Sequence, residues 1–513
     1  MVKKIIDSFT QFERNIFIVA ISVFLLSLFF WLALNIQNRI EFIPKNGGQY
    51  QEGKTGQPIF INPIISSNET DRDIASLIYS PLSDLISNSQ IEERTNYLVK
   101  LRQNLLWSDG QPLTSDDIIF TLKTIQDPNA NSPLYQTWQG IVTERVSELQ
   151  VRFILRNPYV FFGNNLQNLP IIPQHIFGKI PAANLKLSNY NLEPVGSGPY
   201  KYDRFAKRKD GFITRYQLAV NENYYGKKPY IQKFIFKFYE NEDDLISAFN
   251  RREIDGFGGL NPAKIKDLSL NHKIKSIVMA NYYSIFLNQN INSSLKDKNV
   301  RLALTQAVDK KPIIRKVFNG EAMEAGKKTK DGGSPDLEAI KEQNLEFDLV
   351  VPQIDFLINT AEIIKEEWAA IGVKLNLIVL NPDDIINTVI RSRDYEMILF
   401  GFNPANKEDL FSFWHSSQKF YPGLNLAIYG NASADKLMEE IRQTADPDER
   451  KEKLETLEAI IAQDLPTIPL YSPKYLYVSI PDLGGFTDKF LSTASNRFQN
   501  VKNWYVKTSV VFK

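Results

Sequence analysis

Carboxylate and hydroxyl side chains are concentrated in one stretch, residues 106–122, which reads LWSDGQPLTSDDIIFTL. Three aspartates and four hydroxyl groups so close together could form a catalytic or metal-binding loop. The local pattern favours a structural role, because Asp109-Gly110 is typical of a turn, and Thr114 and Asp117 have the spacing of a helix capping box. An alternating segment precedes the turn and an apolar helical stripe follows it. We therefore predict a strand, a turn and a capped helix.

Three other groups of residues could also do chemistry. Residues 414–417, WHSS, supply the imidazole and hydroxyl used in acyl transfer, but adjacent residues seldom face each other and no acid is placed to orient the ring. The aspartate pairs at 116–117 and 243–244 could hold a cation, although each begins a predicted helix, where carboxylates stabilise the positive end of the dipole. The glycines of 196–198 lack the lysine and hydroxyl of a phosphate loop. We predict no catalytic residue, no metal site and no cofactor, and therefore no enzyme.

The composition excludes further classes of function. Lysine and arginine number 60 against 59 aspartates and glutamates, so no strong positive field exists for binding nucleic acid. The chain has no cysteine, which rules out disulfides, thiolate metal sites and a lipidated N-terminal cysteine. Its three histidines are far apart in the sequence. A length of 513 residues is enough for at least two hydrophobic cores.

One segment near the N-terminus differs sharply from the rest. Residues 15–37, NIFIVAISVFLLSLFFWLALNIQ, carry no charge and are long enough to cross about 30 Å of hydrocarbon as a helix. Basic residues within 1–14 place the N-terminus in the cytoplasm and the body outside it by the positive-inside rule. A cleaved signal peptide is the alternative, but no clear small-residue cleavage site follows. We expect an uncleaved single-pass anchor in the cell membrane, followed by a linker over 38–56.

Helices and strands are expected in mixed order beyond the linker. LQVRFILRNP and YIQKFIFKFY alternate as strands do, whereas NEDDLISAFNRREID is typical of an amphipathic helix. In ADPDERKEKLETLEAIIAQD, Asp446 is the expected N-cap and Pro447 the first helical residue. Between 346 and 402, strand and helix patterns alternate, which predicts a sheet with helices packed on it. The predicted fold class is α/β.

Several segments, in order, resemble the extracytoplasmic solute-binding proteins of peptide ABC transporters, the oligopeptide- and dipeptide-binding family (solute-binding protein family 5). Residues 106–122 are similar to that family's strand, DG turn, proline-leucine-threonine and helix with paired aspartates. The resemblance extends from about residue 48 to about residue 481. Other similar blocks are PVGSGPYKY, YYGKKPYIQKFIFKF, EEWAAIGVKLNL, DYEMILFGF, FWHSSQ and DLPTIPLY.

The resemblance implies a two-lobed clamp like the type II periplasmic binding proteins, with an extra subdomain. In that family a peptide lies between the lobes as an added strand, held mainly by main-chain hydrogen bonds, and closure of the hinge buries it. The limits that it implies are lobe one at 57–285 with its subdomain at about 75–188, lobe two at 286–467, and a return to lobe one at 468–513.

The loop after DYEMILFGF departs from the family pattern. The family usually has a tryptophan there and then an acidic residue, which pairs with the α-ammonium group of the peptide. This chain has Phe402 for the tryptophan, and Ala405 or Asn406 where the acid is expected. Glu408 or Asp409 could substitute only if the loop is re-aimed. A strict requirement for a free peptide N-terminus is therefore not expected.

The resemblance also implies which residues contact the ligand and what the protein does. For Phe402, Asn403 and Trp414, ligand contact and ordinary packing fit the sequence equally well. The expected function is a membrane-anchored, monomeric peptide-binding component that delivers oligopeptides to ABC transporter permease subunits; the alternative is a peptide-sensing or adhesion receptor using the same clamp without transport. The expected ligand-binding residues are Phe402, Asn403, Asn406, Glu408, Asp409, Trp414, Asn288 and Tyr283.

Overall fold

The computed structural model describes residues 10–66, 68–326, 335–404 and 406–512. Twenty strands lie within these ranges. In chain order they are β1 (Ile40–Pro44), β2 (Gln49–Thr55), β3 (Ile86–Glu92), β4 (Asn96–Leu101), β5 (Val142–Ser147), β6 (Gln150–Ile154), β7 (Tyr200–Lys207), β8 (Ile213–Val220), β9 (Lys233–Tyr239), β10 (Gly256–Gly258), β11 (Lys273–Met279), β12 (Tyr282–Leu287), β13 (Ala322–Glu324), β14 (Glu346–Pro352), β15 (Lys374–Leu380), β16 (Met397–Phe402), β17 (Thr467–Pro473), β18 (Tyr475–Ser479), β19 (Phe490–Leu491) and β20 (Thr508–Phe512).

The helices fall between these strands. In chain order the α-helices are α1 (Gln11–Arg39), α2 (Glu69–Ile78), α3 (Leu82–Leu85), α4 (Ser115–Gln126), α5 (Tyr135–Trp138), α6 (Phe162–Gln167), α7 (Gln174–Phe177), α8 (Glu242–Asn250), α9 (Lys298–Ala307), α10 (Lys310–Phe318), α11 (Leu337–Glu342), α12 (Asp355–Ala370), α13 (Pro382–Asp384), α14 (Ile390–Ser392), α15 (Phe411–Trp414), α16 (Ala432–Gln443) and α17 (Pro447–Asp464).

The strands form two large mixed sheets and two smaller sheets. An eight-stranded sheet has the order β19-β11-β18-β10-β2-β9-β8-β7, and a four-stranded sheet has the order β3-β4-β6-β5; we call the part that contains them lobe one. A six-stranded sheet, β13-β17-β12-β16-β14-β15, defines lobe two. Separate hydrophobic clusters lie on the two large sheets. The α/β fold and the two-lobed arrangement predicted from the sequence are confirmed.

The stretch 106–122 is structural, as predicted. Thr114 is the N-cap of α4, its hydroxyl accepts from the helix, and the Asp117 carboxylate accepts from the Thr114 N–H at 2.9 Å to complete the capping box. The other carboxylate oxygen of Asp117 accepts from the Gln174 N–H at 2.8 Å, which ties α7 to this helix. Gly110 occupies the left-handed region at φ +90° in the turn. The Asp109 and Asp117 carboxylates accept from backbone donors, and Asp116 pairs with Arg145 at 2.9 Å.

The linker expected at 38–56 is wrong for its second half. Residues 49–55 form β2, an interior strand of the eight-stranded sheet, paired in parallel with β9 and β10. The polar residues Glu52 and Lys54 are buried there, at 0% and 5% exposure. Their charges are compensated by Arg497 and by Asp73, which lie elsewhere in the sequence. β2 is therefore a central strand, although its polar composition is typical of a loop.

Two short crossings join the lobes. β11 of lobe one ends at Met279 and β12 of lobe two begins at Tyr282, while β17 ends at Pro473 and β18 begins at Tyr475. The Ser472 hydroxyl donates to the carbonyl of Asn281 at 2.8 Å, which joins the two crossings side by side. The limits expected at 285 and 467 fall inside β12 and β17. Because a strand stays with its ladder, we propose 280–281 and 474 as the crossings instead.

An apolar helix precedes the lobes. Of the described residues, Gln11–Trp31 in α1 have the length and a mean hydropathy of 2.0 that suit a membrane-crossing helix, and none of the side chains in this window is buried against the rest of the protein. This overlaps the segment 15–37 predicted from the sequence. Residues 1–9 of the expected cytoplasmic N-terminus lie outside the described residues.

Candidate functional site

The loop that follows β16 lies where lobe two faces lobe one. Phe402, the last residue of β16, is 8% exposed, and its ring packs against Tyr282 and Phe413, with centroids 3.8 and 5.0 Å away. Trp414 is 5% exposed and packs edge-on against Phe402 at 6.4 Å. Both rings belong to the aromatic cluster of lobe two. Packing, one of the two roles considered for them, is therefore what the contacts show.

The asparagines of this loop leave polar atoms without partners. The amide group of Asn403 donates to the carbonyl of Ser492 in lobe one, so this side chain bridges the two lobes. The Asn406 Oδ1 accepts from the Glu408 N–H at 3.0 Å. Asn403 Oδ1 and Asn406 Nδ2 are buried and have no hydrogen-bond partner among the described residues. Buried amide atoms normally have partners, so these two are exceptions. Ala405 lies outside the described residues.

Both acidic residues of the loop are engaged by arginines of lobe two. Glu408 accepts from the Arg450 Nε at 2.8 Å, with the carboxylate half-exposed. Asp409 accepts from Nε and a terminal amine of Arg442 at 2.8 and 3.0 Å. A carboxylate bound twice by one guanidinium has its charge compensated in a fixed geometry. Both acids of the loop are thus paired with arginines of lobe two in this structure.

Asp409 also accepts a hydrogen bond from lobe one. The Tyr159 hydroxyl donates to Asp409 Oδ2 at 2.6 Å, and the Arg442 guanidinium lies 5.2 Å from the centre of the Tyr159 ring. Burial, with the nearby Asp409 carboxylate, raises the pKa of the Tyr159 hydroxyl, so it remains a donor at neutral pH. The hydrogen bond has a charged acceptor and is therefore of the stronger kind.

Residues 159–161, which we call the clasp, extend from lobe one into lobe two. The Val160 N–H donates to the Arg442 carbonyl at 2.9 Å. Phe161 is only 5% exposed and is buried in the aromatic cluster of lobe two, and the Arg450 guanidinium lies 5.5 Å from the centre of its ring. One hydrogen bond to a carboxylate, one to a carbonyl and one buried ring thus hold the two lobes together beside the loop.

Two expected ligand residues lie elsewhere. Asn288 follows the end of β12 that is opposite to Phe402, about 20 Å away at the usual rise per residue. Its amide donates to the Arg393 carbonyl at 3.1 Å inside lobe two, away from the loop, and its role toward a ligand stays a prediction. The Tyr283 ring covers Gly401 and packs against Phe356, with centroids 5.2 Å apart. It supports the strand beneath the loop rather than the loop itself.

The clasp and its two arginines were not predicted from the sequence. The stretch RNPYVFF carries no periodic pattern, and Arg442 and Arg450 are single basic residues within polar stretches of two helices. Four bulky residues directly after a proline were the available signal. The contacts join positions hundreds of residues apart, which no local pattern records.

The stretch 414–417 has a structural arrangement. The His415 ring stacks on Phe411 with centroids 4.0 Å apart, and its Nδ1 lies 2.8 Å from the Ser417 hydroxyl. The Ser416 N–H donates to Asp435 at 2.9 Å. Among the described residues no group of three histidine, cysteine or acidic side chains could hold a metal ion.

The chain is similar in sequence to a known protein family and to proteins within it. The family model described as bacterial extracellular solute-binding proteins, family 5 Middle, matches residues 81–350. The oligopeptide-binding protein AppA of Bacillus subtilis strain 168 is 25% identical over 494 residues, covering 86% of this chain and 89% of that protein. The dipeptide-binding protein of Escherichia coli strain K12 is 23% identical over 474 residues, covering 80% of this chain and 87% of its own.

Solved structures share the architecture. The ABC transporter substrate-binding protein CtaP of Listeria monocytogenes superimposes with a TM-score of 0.78 at 25% identity, over 90% of this chain and 100% of that one. AppA of Bacillus subtilis, solved in complex with a nonapeptide, gives 0.74 at 23% identity, over 91% and 100%. At this level of identity, the likeness to AppA shows the fold.

Proposed function

The chain belongs to family 5 of the bacterial extracellular solute-binding proteins, and we propose that it captures oligopeptides between its lobes and delivers them to the permease of an ABC transporter. AppA, which is similar over most of its length, is named an oligopeptide-binding protein and was solved with a nonapeptide. The loop of Asn403 and Asn406 supports this proposal. Its unpartnered amide atoms lie between two lobes that are joined by short strand crossings.

The peptide is held mainly through its backbone. An extended chain between the lobes needs amide donors and carbonyl acceptors, and Asn403 Oδ1 and Asn406 Nδ2 supply one acceptor and one donor. Ligand entry replaces the bond from Asn403 to the Ser492 carbonyl with bonds to the peptide. The clasp then limits how far the lobes separate beside the bound chain. Of the residues expected from the sequence, Asn403 and Asn406 are the ones we assign to the ligand.

The peptide N-terminus is not read through its charge. Arg442 and Arg450 already compensate Asp409 and Glu408, and a buried ammonium group without a carboxylate would cost several kcal/mol. The site therefore accepts peptides whose N-terminus is acetylated as well as those whose N-terminus is free. Because no charged end of the peptide has to lie at a fixed point, the site does not fix the length of the peptide.

The protein acts at the membrane surface. We propose that α1 stays in the membrane as a single-pass anchor, with residues 1–14 in the cytoplasm and the lobes outside it. The protein acts as a monomer, because the loop and the clasp are complete within one chain. We further propose lobe limits at 280–281 and 474, with the four-stranded sheet forming the subdomain of lobe one.

The experiment uses the full-length protein in detergent. Mass spectrometry of what copurifies identifies a peptide, and calorimetry then compares that peptide with its acetylated form. We expect the two affinities to agree within about 1 kcal/mol, or roughly fivefold. A loss above about 2 kcal/mol on acetylation that disappears in Asp409→Asn or Glu408→Gln would show that an acid anchors the ammonium group. Absence of any peptide ligand would contradict the proposed function itself.

A further inference from the structure

A two-stranded ribbon lies at the end of the apolar helix. β1 follows α1 without a break and pairs antiparallel with β20 near the C-terminus, with Pro44 opposite Thr508. The Lys45 N–H extends the pairing by donating to the Lys507 carbonyl at 2.9 Å. The last strand of the chain is therefore placed beside the exit of its first helix.

Two apolar side chains of β1 are exposed. Phe42 is 65% exposed and Ile43 is 40% exposed, although an isolated two-stranded ribbon has little stability in water by itself. An aromatic ring next to a membrane-crossing segment is typical of the interfacial layer of a bilayer. β1 follows α1 directly in the chain, and the window Gln11–Trp31 of α1 is itself uncovered by the rest of the protein.

The charges around the ribbon favour an anionic surface. The stretches 39–45 and 507–513 contain four basic residues and a single acid, Glu41. Of these, Lys45 and Lys507 are exposed and lie where the two strands meet lobe one. Basic residues close to an anionic leaflet are attracted to it.

The connection from the ribbon to lobe one is short and fixed. Only residues 45–48 separate β1 from β2, a span of at most about 18 Å from Pro44 to Gln49. The Gly47 N–H donates to the Tyr230 carbonyl at 2.8 Å, and the Gly48 carbonyl accepts from the Gln232 N–H at 3.1 Å. These bonds hold the connection on the eight-stranded sheet, so it is not a flexible linker.

We propose that the ribbon is a lipid-docking surface, with Phe42 and Ile43 in the interfacial layer and Lys45 and Lys507 at anionic headgroups. The inference rests on the membrane anchor of the proposed function. It goes further, because the ribbon and its fixed connection hold lobe one against the bilayer in one orientation. A tethered clamp would instead sample all orientations at the end of its linker.

The test uses the absence of cysteine in the chain. Phe42→Cys and, separately, Ile43→Cys are labelled with a nitrobenzoxadiazole dye in the full chain, in nanodiscs containing phosphatidylglycerol. Leu187→Cys, 79% exposed on lobe one, is the matched control. We expect nitroxide-bearing lipids to quench the dye at 42 and 43 at least about threefold more than at 187. Equal quenching at the three positions, with full access of aqueous iodide, would overturn the proposal.

A charge variant separates lipid from protein docking. Lys45→Glu combined with Lys507→Glu should lower the lipid quenching at 42 in phosphatidylglycerol nanodiscs and leave it unchanged in phosphatidylcholine nanodiscs. Peptide affinity, measured by calorimetry, should stay the same, so a failure of docking is distinguishable from a failure of the proposed function. Protection of the dye at 42 only after permease is added would overturn lipid docking in favour of a protein surface.

Discussion

Two clusters of arginine, carboxylate and tyrosine serve different ends in this molecule. In lobe one, Arg497 contacts Glu52 at 2.9 Å and Asp73 at 2.7 Å, and all three side chains are 0% exposed. Beside the loop, Arg442 binds Asp409, with 26% and 10% of the two side chains exposed. The first cluster lies inside one lobe, whereas the second is reached by the clasp of the other lobe.

The two clusters respond differently when one of their partners is removed. Removing one partner of a fully buried cluster leaves an uncompensated charge in the interior, so the first cluster can only persist or unfold with lobe one. In the second, Arg442 and Asp409 stay paired within lobe two, and only the Tyr159 hydroxyl, the Val160 N–H and the Phe161 ring withdraw when the lobes separate. The first cluster therefore contributes to stability and the second to closure.

The largest effect is expected in lobe one. Arg497→Met should lower the free energy of unfolding by about 3–5 kcal/mol, because Glu52 would remain buried without its cation and Asp73 would keep only Lys54. Chemical denaturation of the full chain in detergent measures the change. Arg204→Met, at an exposed position, is the control and should stay within about 0.5 kcal/mol. An equal change in the two variants would remove the distinction between the clusters.

The next effect is on closure. Asp409→Asn should weaken peptide binding by about tenfold to a hundredfold, because the clasp loses a charged acceptor, and it should do so equally for free and acetylated peptides. Glu408→Gln, which alters only the half-exposed pair with Arg450, should stay within about threefold. Calorimetry on each of the two variants, with the free and with the acetylated peptide, measures these changes in affinity. A loss confined to the free peptide would make Asp409 a ligand anchor and contradict its role in closure.

Each of the two clusters contains one tyrosine whose hydroxyl donates to a carboxylate. Tyr477 donates to Glu52 and Tyr159 donates to Asp409, so each Tyr→Phe variant removes one hydroxyl from one cluster. Tyr477→Phe should lower the free energy of unfolding by about 1–3 kcal/mol and leave peptide affinity unchanged. Tyr159→Phe should weaken affinity by about threefold to tenfold with little change in unfolding. The reverse pattern in the two assays would show that the roles are exchanged.

The smallest effect concerns pH. Burial acts to raise the pKa of Asp73, but the charges of Arg497 and Lys54 more than offset it and hold this pKa below its ordinary value. The resulting stabilisation is fully present above the unfolded pKa, about 3.9, and is lost as pH falls through the folded value. Asp73 should therefore contribute equally at pH 7 and pH 5. Below about pH 4, the wild type should lose stability more steeply than Asp73→Asn, as unfolding titrations at each pH would show.

Features set by neighbouring residues were predicted well from the sequence. The capping box of Thr114 and Asp117 and the N-cap Asp446, with Pro447 at the first helical position, are confirmed, because a cap is decided within four residues. The apolar helix and the alternation of strands and helices in lobe two also follow from local periodicity. The fold itself was identified from the order of similar blocks rather than from any one of them.

Features set by distant contacts were not predictable. β2 looks like a linker until Arg497, 445 positions away, compensates Glu52. The engagement of Glu408 and Asp409 depends on two arginines of later helices, and the distance of Asn288 from Phe402 follows from the strand between them, which carries residues to both ends of a sheet. Each case has the same cause, since a charge or an amide in the sequence does not reveal which partner folding will bring to it.

The two crossings also set an order of assembly. All strands of lobe two lie between the crossings, in one continuous stretch of chain, and their partners are all present before Lys474 is synthesised. Lobe one cannot complete its sheet until β18 and β19 arrive, and its buried charges wait for Arg497 at the very end of the chain. As the chain is made from its N-terminus, lobe two can fold as a unit while the buried Glu52 and Asp73 still lack Arg497. A nascent chain stalled before residue 497 would therefore carry a folded lobe two and an open, chaperone-accessible lobe one.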